Sequence, residues 1–132
     1  MPVATQSIFS TYRYRDAPAA IDFLERAFGF QRGEVHQGPD GQVFHAELHF
    51  GGEWIMLGST SDGSDGRLDI KTGPSSTYLV VDDPDAAYER AVAAGAGVVR
   101  ELTDTDYGSR EFTASDPEGN IWSFGTYRPE AP

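Results

Sequence analysis

His45, Glu47 and His49 occupy positions i, i+2 and i+4 of one strand-like run, VFHAELHF over 43–50. Alternate strand positions face the same way and lie roughly 6.8 Å apart, so neighbours can share a proton or an ion while the outer pair needs help. Three chemistries suit that spacing: a metal site, proton transfer by Glu47 or His45, and the polar wall of a binding pocket. Trp54 and Met56 follow across a Gly51-Gly52 turn. An indole offers a stacking platform for a flat ligand, and a thioether adapts to irregular shapes. Arg13 and Arg110 could hold a carboxylate or phenolate, or pair with the protein's own acids. Tyr107 sits in a loop before a strand, where it could cover a cavity mouth or simply pack the loop.

Other chemistries are excluded or unsupported. The chain has no cysteine, which removes disulfides, thiolate metal sites and Cys nucleophiles. It has neither a phosphate-cradling glycine loop followed by Lys nor a nucleophile elbow. Its 21 acids against 10 Lys and Arg give a net charge of −11, with Lys71 the single lysine. That balance argues against nucleic acid and against an anionic membrane surface as partners. The first ten residues lack a basic-then-apolar leader pattern, so a cytoplasmic address is expected.

The elements that would position these groups alternate in period. Residues 6–14 read as a strand and 17–28 as a helix, with Ile21, Leu24 and Phe28 at helical spacing, Asp16 in the cap region and Gly29 at the stop. Strands are expected at about 30–37, 43–50 and 53–58. The Ser-, Asp- and Gly-rich stretch 59–73 reads as a linker. Its Asp62–Gly66 portion has a calcium-loop flavour but lacks the later bidentate Glu. A strand from Thr77 to Val81, a helix from Asp83 to Ala94, a strand from Gly97 to Leu102 and a hairpin of 109–115 with 120–127 complete the chain.

The second half repeats the first at an offset of 67. Asp16 maps to Asp83, Ala20 to Ala87, Ala27 to Ala94, Gly41 to Gly108 and Gly58 to Gly125. This implies duplication of a βαβββ unit, with unit one at about 5–58, unit two at about 74–128, and a single domain over 1–132. The expected class is α+β, with eight strands curving round a cavity and helices outside. A two-residue turn at Gly51-Gly52 pairs 50 with 53, 49 with 54 and 47 with 56. Ala46, Leu48, Ile55 and Leu57 then fall on the helix-facing side, and His45, Glu47, His49, Trp54 and Met56 on the other. Phe9, Thr11 and Arg13 join that second face. The offset adds Phe112, Ala114, Ile121 and Ser123, with Ser76 and Tyr78, from unit two. Trp122 and Phe124 fall among the core positions.

The paired pattern resembles the vicinal oxygen chelate superfamily, which includes glyoxalase I, extradiol dioxygenases, and fosfomycin and bleomycin resistance proteins. The likeness rests on DAPAAIDFL over 16–24, YGSREF over 107–112 and DPEGNIWSF over 116–124. The family's metal ligands map onto Phe9, Met56, Ser76 and Ser123, none a strong ligand for a divalent ion. The resemblance therefore implies the branch without metal or other cofactor, typified by bleomycin resistance proteins. These are homodimers that sequester a drug unchanged. The expected function is binding of a small hydrophobic or aromatic ligand, antibiotics included, giving resistance or self-protection. The expected site comprises Phe9, Arg13, His45, Glu47, His49, Trp54, Met56, Tyr78, Tyr107, Arg110, Phe112 and Ser123. The alternative is a metal-independent lyase or isomerase using Glu47 or His45, and whether the two units pair within a chain or swap between chains is left open.

Overall fold

A computed structural model describes residues 4–132; the first three residues of the stretch read for a leader lie outside it. The element order is β1 (Thr11–Tyr14), α1 (Ala17–Phe28), β2 (Gln31–Gln37), β3 (Val43–Phe50), β4 (Glu53–Ser59), β5 (Ser76–Val80), α2 (Pro84–Ala93), β6 (Gly97–Asp104), β7 (Arg110–Ser115) and β8 (Ile121–Gly125). The strands form two four-stranded sheets of order β1-β4-β3-β2 and β5-β8-β7-β6, so the βαβββ unit occurs twice in an α+β fold. The chain divides into two compact units, Met1–Glu25 with Gly29–Gly73, and Arg26–Phe28 with Pro74–Pro132.

The duplication is visible in local chemistry. Asp16 Oδ1 accepts from the Ala19 amide and Asp83 Oδ1 from the Ala86 amide, both at 3.1 Å, capping helices that each begin with a proline in the first turn. Gly29 closes α1 at φ +82°, a left-handed backbone that glycine adopts without a Cβ penalty. Thr11 pairs with Met56 in the first sheet, and Tyr78 pairs with Ser123 in the second, each shifted by 67.

In the first unit the turn at Gly51-Gly52 sets the expected register, with Phe50 opposite Glu53, His49 opposite Trp54 and Glu47 opposite Met56. Ala46, Leu48, Ile55 and Leu57 form the buried face, and His45, Glu47, His49, Trp54 and Met56 are half-buried on the other. Arg32 of β2 ties the strand to α1 through Asp22 and Glu25, which hold the guanidinium pKa above its ordinary value, Glu25 contributing most.

In the second unit the offset slips by one on β7. Glu111 lies opposite Gly125, Phe112 opposite Phe124 and Thr113 opposite Ser123. The hairpin loop between the paired residues Ser115 and Ile121 is one residue longer than the loop between His49 and Trp54. Asp116 builds it. Its Oδ1 accepts from the amides of Glu118 and Asn120 at 3.0 and 3.1 Å, and its Oδ2 accepts from the Trp122 indole at 3.0 Å. A one-residue slip turns every side chain of a strand to the opposite face. Phe112 and Ala114, expected on the open face, are therefore 1% exposed in the core, where Phe112 stacks on Phe124 at 4.8 Å and 9°. Trp122 and Phe28 complete that core.

Two further expectations change. β1 begins at Thr11, not residue 6: the ladder ends where the Met56 amide donates to the Ser10 carbonyl, and residues 4–10 carry no regular structure. The stretch after β4 lacks regular elements but is tied down by side chains. The Arg67 guanidinium, over the Phe44 ring at 5.1 Å, donates to the Ser59 and Thr60 carbonyls and to Asp65. The Asp65 carboxylate also accepts from the Ser61 hydroxyl and the Arg67 amide, which hold its pKa down at about 2.

Candidate functional site

The open face of the first sheet carries a cavity of about 520 Å³ lined by Ala4, Gln6, Phe9, Glu47, Trp54, Ile55 and Met56. Its size suits a small-molecule site, and its wall is mainly apolar with few polar groups. Glu47 is the one ionisable residue in that lining. Its Oε2 lies 2.9 Å from Nε2 of His45, two residues back on the same strand face. With neutral His45, that nitrogen donates the hydrogen bond and fixes the carboxylate. Glu47 can therefore accept a ligand proton, or a hydrogen bond from a cationic group.

Trp54 is the broadest aromatic surface in the wall. Its indole rests over Gly33 of β2, where a Cβ would fall 2.8 Å from Cζ3 and 3.1 Å from Cη2. His49 packs against it at 4.7 Å, with Nδ1 donating to the Gly51 carbonyl at 3.0 Å. Gln6 secures the backbone beneath. Its Oε1 accepts from the Trp54 amide at 2.6 Å, and its Nε2 donates to the Trp54 and Ile8 carbonyls at 2.9 and 2.7 Å. The side-chain amide thus continues the pairing that β1 has stopped making and seats residues 4–9 as one wall. Sequence reasoning missed Gln6 and Gly33, because neither a glutamine in coil nor a glycine on an edge strand carries a local signal.

The structure brings Phe9, Glu47, Trp54 and Met56 together around the cavity, with His45 and His49 behind Glu47 and Trp54. Arg13 shares their strand face, but its guanidinium donates to the Leu68 carbonyl at 3.2 Å. Among the described residues no group of three His, Cys, Asp or Glu side chains is placed to hold a metal ion, so His45, Glu47 and His49 form a dyad and a separate ring.

On the second sheet, Tyr78 and Ser123 share the open face with Thr113 and Glu111. The Ser123 hydroxyl is 2.9 Å from that of Thr113. Tyr107 donates to Glu111 Oε1 at 2.9 Å, an arrangement that raises the phenol pKa. Arg110 and Phe112 are removed from this face by the slip in β7. Arg110 binds Asp85 of α2 at 2.6 Å and Asp104 of β6 at 3.1 Å, and the two acids raise its pKa, Asp85 most.

The positions where related enzymes carry metal ligands hold Phe9, Met56, Ser76 and Ser123. A phenyl ring, a thioether and two hydroxyls, one already hydrogen-bonded to Thr113, do not make a donor set for a divalent ion.

Residues 8–124 match the model of the Glyoxalase/Bleomycin resistance protein/Dioxygenase superfamily. An uncharacterized protein of Mycobacterium bovis is 39% identical over 116 residues, covering 83% of this chain and 76% of the relative. TioX from Micromonospora sp. ML1 superposes with a TM-score of 0.80 at 29% identity, over 93% of this chain and 99% of TioX. A glyoxalase I mutant from Zea mays shares the fold at a TM-score of 0.72 and 22% identity, over 94% of this chain and 46% of the maize chain. No helix among the described residues is long and apolar enough to cross a membrane. The chain belongs to the glyoxalase/bleomycin resistance protein/dioxygenase superfamily.

Proposed function

We propose that this protein is a homodimeric, cytoplasmic binding protein that sequesters a hydrophobic aromatic small molecule, with antibiotics the first class to test, and so confers resistance or self-protection. The observation that carries the reading is the cavity of about 520 Å³ walled by Trp54, Phe9 and Met56, with one carboxylate in its lining. Those groups give stacking area, adaptability and one orienting charge, the composition of a binding site. The donor set at the superfamily's metal positions supports a site that binds without a metal step.

The 2.9 Å contact between His45 and Glu47 favours one second reading, a metal-independent lyase or isomerase. In it Glu47 is the proton acceptor and His45 the group that orients it. Native mass spectrometry after incubation with pooled polycyclic and glycopeptide natural products separates the two. Sequestration predicts a dimer carrying an unmodified ligand, lost when Trp54 is replaced by Ala. A ligand recovered as a different compound, by altered mass for a lyase or by altered chromatographic retention at unchanged mass for an isomerase, in amounts that fall at least ~100-fold for Glu47→Gln, would establish the enzyme instead.

A further inference from the structure

The chain contains three Asp-Gly pairs, Asp40-Gly41, Asp62-Gly63 and Asp65-Gly66. Glycine puts no side chain beside its own amide, so each pair can close a five-membered imide. The glycine nitrogen bonds to the aspartate Cγ, and the hydroxyl of the neutral carboxyl leaves as water with the amide proton. Water then adds at the aspartate's main-chain carbonyl and breaks its bond to that nitrogen. The product is isoaspartate, in which the main chain runs through Cβ and Cγ and the α-carboxylate is free. Water is lost and regained, so no oxidant or cofactor enters.

The fold treats the three pairs differently. Asp62 Oδ1 accepts from the Ser64 amide at 2.9 Å, and the Gly63 amide donates to the Ser61 hydroxyl at 3.0 Å. Asp65 accepts from the Ser61 hydroxyl at 2.8 Å and from the Arg67 amide and guanidinium, each at 3.0 Å. The Gly66 amide donates to the Gly63 carbonyl at 3.3 Å. Such bonds fix the rotamer and favour the ionised carboxylate, which has no hydroxyl to lose. Asp65, held at about 2 against an ordinary 3.8, is neutral roughly 60-fold less often above pH 4.

Asp40 has no such restraint. It is exposed, and among the described residues no donor is hydrogen-bonded to its carboxylate. Its backbone, at φ 61° and ψ 25°, is the one left-handed non-glycine backbone among them. With Gly41 at φ 76° it forms the centre of a turn that the Gln42 amide closes by donating to the Pro39 carbonyl at 3.4 Å. A Cβ on Gly41 would meet nothing within 4 Å, so the turn stands clear of the chain on that side. A left-handed L-residue is strained, and an added main-chain carbon releases that strain.

We propose that Asp40-Gly41 is a site of spontaneous covalent modification, where the folded protein converts Asp40 to isoaspartate in preference to Asp62 and Asp65. The exposed α-carboxylate so formed is a substrate for repair by methyl transfer from a sulfonium donor. The Gly41 nitrogen then displaces methanol from the ester and restores the imide. The site lies between β2 and β3 and stands independently of the function proposed for the Trp54 cavity.

The intact protein is aged in mildly acidic buffer, and isoaspartate is located by electron-transfer fragmentation of its peptides. Accumulation at Asp40 should be at least ~10-fold faster than at Asp62 or Asp65. In urea the three rates should converge to within ~2-fold, because the fixed hydrogen bonds are gone. Ser61→Ala should raise the rate at Asp65 at least ~3-fold and leave Asp40 unchanged. Asp40→Glu keeps the charge but not the five-membered ring, and should abolish most methyl incorporation by an isoaspartyl methyltransferase into aged protein. Comparable rates at the three sites in the folded protein, a faster rate at Asp62 or Asp65, or the same ratio persisting in urea would overturn the proposal.

Discussion

Replacing Gly33 by Ala should move Trp54 without touching the cavity directly. The new methyl would sit 2.8 Å from Cζ3 of the indole, against about 3.5 Å for an unstrained carbon contact, so the ring must withdraw by about 0.7 Å at its nearest edge. Pairing holds the backbone on either side, Arg32 with Leu48 and Val35 with Ala46 across a register shift, and the new Cβ also lies 3.2 Å from the Glu47 carbonyl oxygen, so the indole edge must give most. Tilting it off its rotamer costs about 0.5–1.5 kcal/mol. Removing Gly from the unfolded chain returns about 0.4–1 kcal/mol, so global stability should barely change. Ligand affinity should change. If Trp54 is the platform, the lost stacking is worth about 0.5–1.5 kcal/mol, roughly a 2- to 12-fold weaker Kd for a flat probe such as 9-aminoacridine. The assay is quenching of Trp54 fluorescence by that probe, Trp122 being fully buried. Gly52→Ala is the control, since a Cβ there meets nothing within 4 Å. Affinity unchanged in Gly33→Ala, or weakened equally in the control, would refute the reasoning.

Asp116→Ala should cost about 3 kcal/mol or more in urea unfolding, because three donors lose an ionised acceptor and the Trp122 N–H stays buried without it; a loss under about 1 kcal/mol would contradict its place at the turn. Asp65 predicts a pH dependence of the 59–73 segment. Its pKa, lowered from 3.8 to about 2 by the Ser61 hydroxyl first and the Arg67 amide next, means that opening takes up a proton. The stabilisation is therefore complete above about pH 4 and lost as pH falls through about 2, so hydrogen exchange in the segment should accelerate only at the acid end. Acceleration on going from pH 5 to 8, normalised for intrinsic exchange, would be the wrong sign.

Much of the fold was legible because it is written twice. The caps Asp16 and Asp83 and the buried faces of β3 and β4 follow from residue type, period and one repeated offset. Failures occur where a side chain replaces what backbone geometry would have done. Asp116 holds a longer turn and slips β7 by one residue, which carries Phe112 into the core and Arg110 to Asp85. Gln6 stands in for strand pairing beside Trp54, so the wall it forms has no strand pattern. Within the candidate site, Glu47, Trp54 and Met56 were fixed by the Gly51-Gly52 turn. Their supports, Gln6 and Gly33, become visible only through contacts distant in sequence.

The central claim is that the Trp54 cavity binds a flat aromatic molecule. Its two tryptophans give the protein two indole N–H signals, one from Trp54 at the cavity and one from Trp122 on Asp116. Titration of the nitrogen-15-labelled protein with 9-aminoacridine reads both at once. A saturable shift of the Trp54 signal with the Trp122 signal unmoved is the predicted result. A Trp54 signal that stays in place to millimolar probe, or a shift at Trp122 alone, would contradict the account.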